Sequence, residues 1–142
     1  MERMRQSAKL ESLEGFMHFV IRSSRDAGFS DKRVQEIELA VEEALVNIIT
    51  YAYRDREDGE VEITCGLDGE GRYIVEIRDS GIPFDVTAQT DPDLNPNIAE
   101  RKIGGLGIFL IRKMADEMQY RREGDENVLT LIILNPQDKS LQ

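Results

Sequence analysis

Apolar residues recur at helical spacing through Leu10, Leu13, Met17, Val20 and Ile21, and the run gives way to Gly28. This spacing predicts a first helix from Leu10 to about Ala27, with the glycine as its C-terminal stop. Ser30 offers a hydroxyl that can cap a second helix, in which Val34, Ile37, Val41, Leu45, Ile48 and Ala52 keep the 3.6-residue period to about Arg54. Leu39, Val46 and Ile49 widen the apolar surface of that helix, which predicts a central position for it. Only a narrow line through Glu36, Glu43, Asn47, Thr50 and Arg54 stays polar.

The period then changes to two. Val61, Ile63 and Cys65 alternate with Glu62 and Thr64, and Tyr73, Val75 and Ile77 alternate with Ile74, Glu76 and Arg78, so two strands are expected around a turn at Gly66, Asp68-Gly69 and Gly71. A second hairpin is expected from about Gln119–Glu123 and Val128–Leu134, joined by Gly124-Asp125-Glu126-Asn127. Between Ile82 and Gly104 there is little periodicity, and Pro83, Pro92 and Pro96 interrupt it. Loops longer than ~12–15 residues in a compact domain tend to be lids or binding loops. Gly104-Gly105-Leu106-Gly107 ends the loop, and a third helix is expected through Ile108, Leu110, Ile111, Met114, Ala115 and Met118. Helices, a hairpin, a helix and a hairpin in that order predict an α+β two-layer sandwich, a mixed, mostly antiparallel sheet with helices on one face.

The remaining properties narrow the class. The chain has 142 residues, enough for one domain with a substantial core. A net charge of −10 spread along the chain argues against direct nucleic-acid binding, which needs concentrated Lys and Arg, and leaves a protein partner as the easier fit. Cys65 is the only cysteine, so an intramolecular disulfide and a Cys-rich zinc site are both excluded. The first residues lack a signal-peptide core, and no run approaches the ~18 apolar residues of a membrane span, so a cytoplasmic protein is expected.

Three short pieces carry candidate chemistry. Glu43 and Asn47 stand four apart and share one helical face. A carboxylate can take a proton while a carboxamide oxygen holds a hard cation, although such a pair alone is more often a solvated helix face. Asp79-Ser80-Gly81-Ile82-Pro83-Phe84 closes a strand, where a carboxylate can accept the exocyclic amine of adenine and a glycine allows close approach. The plain alternative is an Asp-x-Gly turn. Gly105-Leu106-Gly107 leads into a helix whose N-terminal amides can receive phosphate. No Lys-Ser/Thr follows as in a Walker A loop, and no strand directly precedes it as in a dinucleotide fold.

The order of these pieces resembles the nucleotide site of the GHKL ATPase superfamily. Glu43-Ala44-x-x-Asn47, Tyr51-Ala52-Tyr53, Pro83-Phe84 and Gly105-Leu106-Gly107-Ile108-Phe109-Leu110-Ile111 are most similar to the anti-sigma-factor serine kinases, over about Leu10 to Leu134. The resemblance implies an ATP-dependent serine/threonine protein kinase acting with Mg²⁺, one domain over residues 1–142 with a lid at about 85–104. In it Glu43 would be the general base and Asn47 the Mg²⁺ ligand. Asp79 and Gly81 would hold adenine, Gly105 and Gly107 the phosphates, and Arg101 or Lys102 would supply a lid cation. The implied substrate is an anti-anti-sigma partner of the STAS type, with a sigma factor as the sequestered target. Only Met4–Leu10 is available for the first strand that relatives often carry, so edge pairing, and a homodimer made through that edge, stay open. Two other activities fit the same site. One is an ATP-gated binding module without catalysis, and the other is a detached histidine-kinase ATPase domain acting on another chain. His18 reads as structural or incidental, since no helical hairpin presents it as a phosphoacceptor. Cys65, Met114 and Met118 read as core.

Overall fold

The computed structural model of the chain describes residues 1–53, 58–88 and 105–135, with side chains in the last stretch from residue 109 onward. Strand β1 (Glu2–Ser7) comes first, followed by helices α1 (Leu13–Asp26) and α2 (Asp31–Asn47). The hairpin β2 (Glu60–Leu67) and β3 (Tyr73–Asp79) follows, then helix α3 (Gly105–Met114) and the hairpin β4 (Glu117–Glu123) and β5 (Glu126–Ile133). The sheet order is β1-β2-β3-β5-β4, and the described pairings are all antiparallel, in line with the mostly antiparallel sheet expected. Val61, Ile63, Cys65, Tyr73, Val75, Ile77, Leu129, Leu131 and Ile133 point to one side and merge with Phe16, Val20, Ile37, Val41, Leu45 and Ile111 into a single core. The α+β sandwich with helices on one face is therefore present.

The opposite face carries ion pairs. There Arg5 meets Glu62 at 2.6 Å, and Arg78 meets Glu76 at 2.7 Å and Glu126 at 3.4 Å. Acids and bases neutralise one another across β1, β2 and β3 there, while Val128, Thr130 and Ile132 of β5 lie buried beside them.

Local signals explain most boundaries. Gly28 has φ +96°, the left-handed stop expected after the first helix, and Ser30 Oγ accepts from the Arg33 N–H at 3.2 Å as the cap of α2. Four expectations need correction. Residues Leu10–Ser12 form a 3₁₀ turn, so α1 begins at Leu13 and Leu10 is exposed. Leu39 is 51% exposed, because α2 packs between α1 and α3 and its outward stripe meets solvent. The third helix stops at Met114, since the Asp116 N–H donates to Ile132 O at 2.8 Å and draws the chain into the sheet, placing Met118 in β4. The last turn is confined to Gly124 (φ +62°) and Asp125, so Glu126 and Asn127 belong to β5.

The edge left open by the sequence is paired. Strand β1 has little apolar character, and it is held by the backbone ladder that sets Met4 opposite Ile63 and by the Arg5–Glu62 ion pair.

Candidate functional site

The inward alternation Tyr73, Val75, Ile77 of β3 ends on Asp79, which puts a carboxylate where the next apolar side chain would lie. Asp79 is 2% exposed. Its Oδ1 accepts the Gly81 N–H at 2.9 Å and Asn127 Nδ2 at 2.8 Å. Burial raises the affinity of this carboxyl for a proton, opposed by the Asn127 and Gly81 donors and by the charge of Arg122.

A turn of π-helix, Ile48–Ala52, continues α2 and brings it against this strand end. The Ile82 N–H donates to Ala52 O at 3.0 Å, and a Cβ at position 81 would lie 2.4 Å from that same oxygen. Only glycine fits there. Tyr51 and Phe84 stack with centroids 5.4 Å apart, and the Tyr53 hydroxyl accepts from Ser80 N at 2.6 Å while donating to Glu60 O at 2.7 Å. Asp79 and Gly81 are thus fixed to the end of the helical segment that carries Glu43 and Asn47.

On α2, Asn47 is buried, and its Nδ2 donates to the Glu43 carbonyl at 2.8 Å. The amide nitrogen is spent on the helix, which leaves Oδ1 as the end suited to a cation. Glu43 is partly buried, and its Oε2 is buried with no hydrogen-bond partner among the described residues. Desolvation, followed by the neighbouring charge of Glu42, raises its proton affinity. A buried acceptor without a donor is costly unless something else supplies one. Between them, these two side chains provide an oxygen for a cation and an oxygen for a proton.

Gly105 and Gly107 lie in the first turn of α3 itself, where a loop leading into the helix was expected. The helix packs against α2. Arg33 Nη2 donates to Met114 O at 3.2 Å and Arg112 Nη2 to Thr87 O at 2.8 Å, so α3 is tied both to α2 and to the segment after Phe84. Arg101, Lys102 and residues 89–104 of the expected lid lie outside the described residues.

The sequence reading missed Asn127. It faces Asp79 directly in the β3–β5 register, and beyond Asp79 it bonds Ile82 O, Phe84 N, Tyr120 Oη and Arg122 Nη1. Placing it in a turn hid it, and the signal that would have found it is the strand register. His18 is exposed on α1. Cys65 is buried, with burial raising its thiol pKa.

Residues 6–133 match the family model described as the histidine kinase-like ATPase domain. The serine-protein kinase RsbW of Listeria monocytogenes serovar 1/2a is 33% identical over 112 residues, covering 75% of this chain and 71% of that protein. RsbW of Bacillus subtilis strain 168 is 30% identical over 113 residues, covering 76% and 69%. Among solved structures, the SiaB–SiaC complex from Pseudomonas aeruginosa superposes with a TM-score of 0.67 at 17% identity, over 94% of this chain and 89% of that one, a likeness of fold. Among the described residues no helix is long and apolar enough to cross a membrane.

Proposed function

Because the chain belongs to the histidine kinase-like ATPase family, and within it to the RsbW serine-protein kinases, we propose that it transfers the terminal phosphoryl group of ATP to a serine or threonine hydroxyl of a partner protein. The observation that carries this reading is the buried, unpartnered Glu43 Oε2 beside a buried carboxamide. It suits a proton acceptor better than a solvated helix face does.

Asp79 accepts the exocyclic amine of adenine, and Gly81 steadies that carboxylate through its N–H while its missing side chain lets the turn close on Ala52. The first-turn amides of α3 at Gly105 and Gly107 receive phosphate oxygens, as helix N-termini do. Arg101 or Lys102 supplies a further cation from a lid at about residues 85–104 of the one domain, residues 1–142. The donor set fits Mg²⁺, a hard cation that takes few protein ligands beside phosphate oxygens, and Asn47 Oδ1 would hold it. When bound, that ion neutralises phosphate charge. The substrate hydroxyl oxygen attacks the γ-phosphorus, the bond to the leaving ADP oxygen breaks, and the hydroxyl proton passes to Glu43. A carboxyl with raised proton affinity is the stronger base for that step.

For the partner we take an anti-anti-sigma protein of the STAS type, with a sigma factor as the protein sequestered. The setting is the cytoplasm, and edge strand β1 offers a route to a homodimer. Single-turnover transfer from labelled ATP to a STAS-type protein tests this reading. Acid-stable label on Ser or Thr supports it. ATP binding with no transfer would leave a binding module, and acid-labile label would identify a histidine kinase.

A further inference from the structure

We propose that Asn127 is the specificity-determining residue of the nucleotide pocket. By holding Asp79 as a hydrogen-bond acceptor toward the base, it makes the site select a purine with an amine at C6 over one with a carbonyl there. The inference rests on the placement of adenine against Asp79 proposed above.

The orientation of the Asn127 amide follows from its neighbours. Nδ2 has two hydrogens and two acceptors, Asp79 Oδ1 at 2.8 Å and Ile82 O at 2.8 Å. Oδ1 faces three donors, Phe84 N at 3.2 Å, Tyr120 Oη at 2.5 Å and Arg122 Nη1 at 3.2 Å. A flipped amide would set its NH₂ against an amide and a guanidinium, and its oxygen against a carboxylate and a carbonyl. The network therefore permits one orientation. Asn127 is 3% exposed, so water does not readily replace a lost partner.

Two consequences reach the base. Both donors to Asp79 among the described residues end on Oδ1, so Oδ2 is the oxygen that meets a ligand. Donation to Oδ1 also favours the ionised carboxyl against the burial that opposes it, and Asn127 is the largest of these favouring influences. An ionised Oδ2 accepts a hydrogen from an amine and repels a carbonyl oxygen. Without the Asn127 donor, Asp79 gains proton affinity, and a protonated Oδ2 can donate to the carbonyl of hypoxanthine.

The test is calorimetric binding of ATP and ITP to the full chain, as wild type, Asn127→Leu and Asn127→Asp, from mildly acidic to mildly alkaline pH, with circular dichroism confirming the fold. Wild type should prefer ATP at neutral and alkaline pH, where Asp79 is ionised. Asn127→Leu should lower the ATP:ITP ratio about ten-fold or more, the scale of one hydrogen bond to a charged group. Asn127→Asp keeps the shape. Its ratio should be lowest in acid, where the two facing carboxyls share a proton and Oδ2 can donate to hypoxanthine, and should rise toward wild type as pH rises and that proton is lost. Folded variants with the wild-type ratio at every pH would overturn the proposal. So would equal weakening toward both nucleotides, which marks a purely structural residue, or a wild type indifferent to the base. A wild type that binds neither nucleotide would remove the adenine site itself.

Discussion

Gly81→Ala puts the close approach of the π-helical turn and the end of β3 to a direct test. A methyl built at position 81 meets Ala52 O at 2.4 Å and Ala52 C and Cβ at 2.7 Å. Atoms rest at ~3.5–4.0 Å, so the two segments must separate by about 1 Å. That movement breaks the bond from the Ile82 N–H to Ala52 O, worth about 0.5–1.5 kcal/mol net, and adds about 1–3 kcal/mol of overpacking. The backbone of Gly81 is not left-handed, so alanine also narrows the unfolded ensemble and returns about 0.4–1 kcal/mol. The net loss is about 0.5–4 kcal/mol, read as a lower denaturant midpoint with an unchanged slope. Adenine nucleotide affinity should fall with it, since Asp79 and Phe84 flank the displaced turn. Adding Ala52→Gly should restore little, because it removes the Cβ contact and leaves the carbonyl. A Gly81→Ala protein with wild-type midpoint and wild-type affinity would refute the steric argument.

Glu43→Gln should lower phosphoryl transfer by about 10²–10⁴ while nucleotide affinity changes little, compared by single turnover and calorimetry. Asn47→Ala should weaken binding of Mg-ATP much more than binding of magnesium-free ATP, measured with and without a chelator. Asp79→Asn should trade binding for stability. The folded-state proton affinity of Asp79 is raised, so its contribution to stability is full below the ordinary carboxylate range and is lost as pH rises through the raised folded value. Removing the charge should therefore stabilise the protein at neutral pH more than in acid, and denaturation at both pH values should show that difference alongside lost ATP affinity.

Features with a local physical cause were legible in the sequence. Ser30 and Gly28 mark helix ends because their chemistry acts within a turn, and Asp79 stood out because it breaks an apolar alternation. The Glu43–Asn47 pair was legible as a shared face, but the burial that distinguishes it from a solvated stripe depends on surrounding packing. Met118 was misread because a spacing of four from Met114 satisfies a helix, while the pull of Asp116 toward Ile132 comes from a strand formed later in the chain. Strand β1 carries one inward apolar residue, Met4, and its identity lies in a ladder to residues some sixty positions away. Asn127 was hidden for the same reason. Its meaning is a register, and no window of sequence around it contains Asp79.

Cys65 makes the protein its own unfolding clock. It is the sole thiol, 1% exposed on the core face of β2, opposite Glu2 of the edge strand. A thiol reagent can modify it only after the structure opens, so the labelling rate counts openings without any introduced probe. Denaturant separates two kinds of event. Peeling of β1 exposes little surface and should respond weakly, whereas disruption of the whole core should respond steeply. Labelling with and without ATP then reports which of the two openings the nucleotide suppresses.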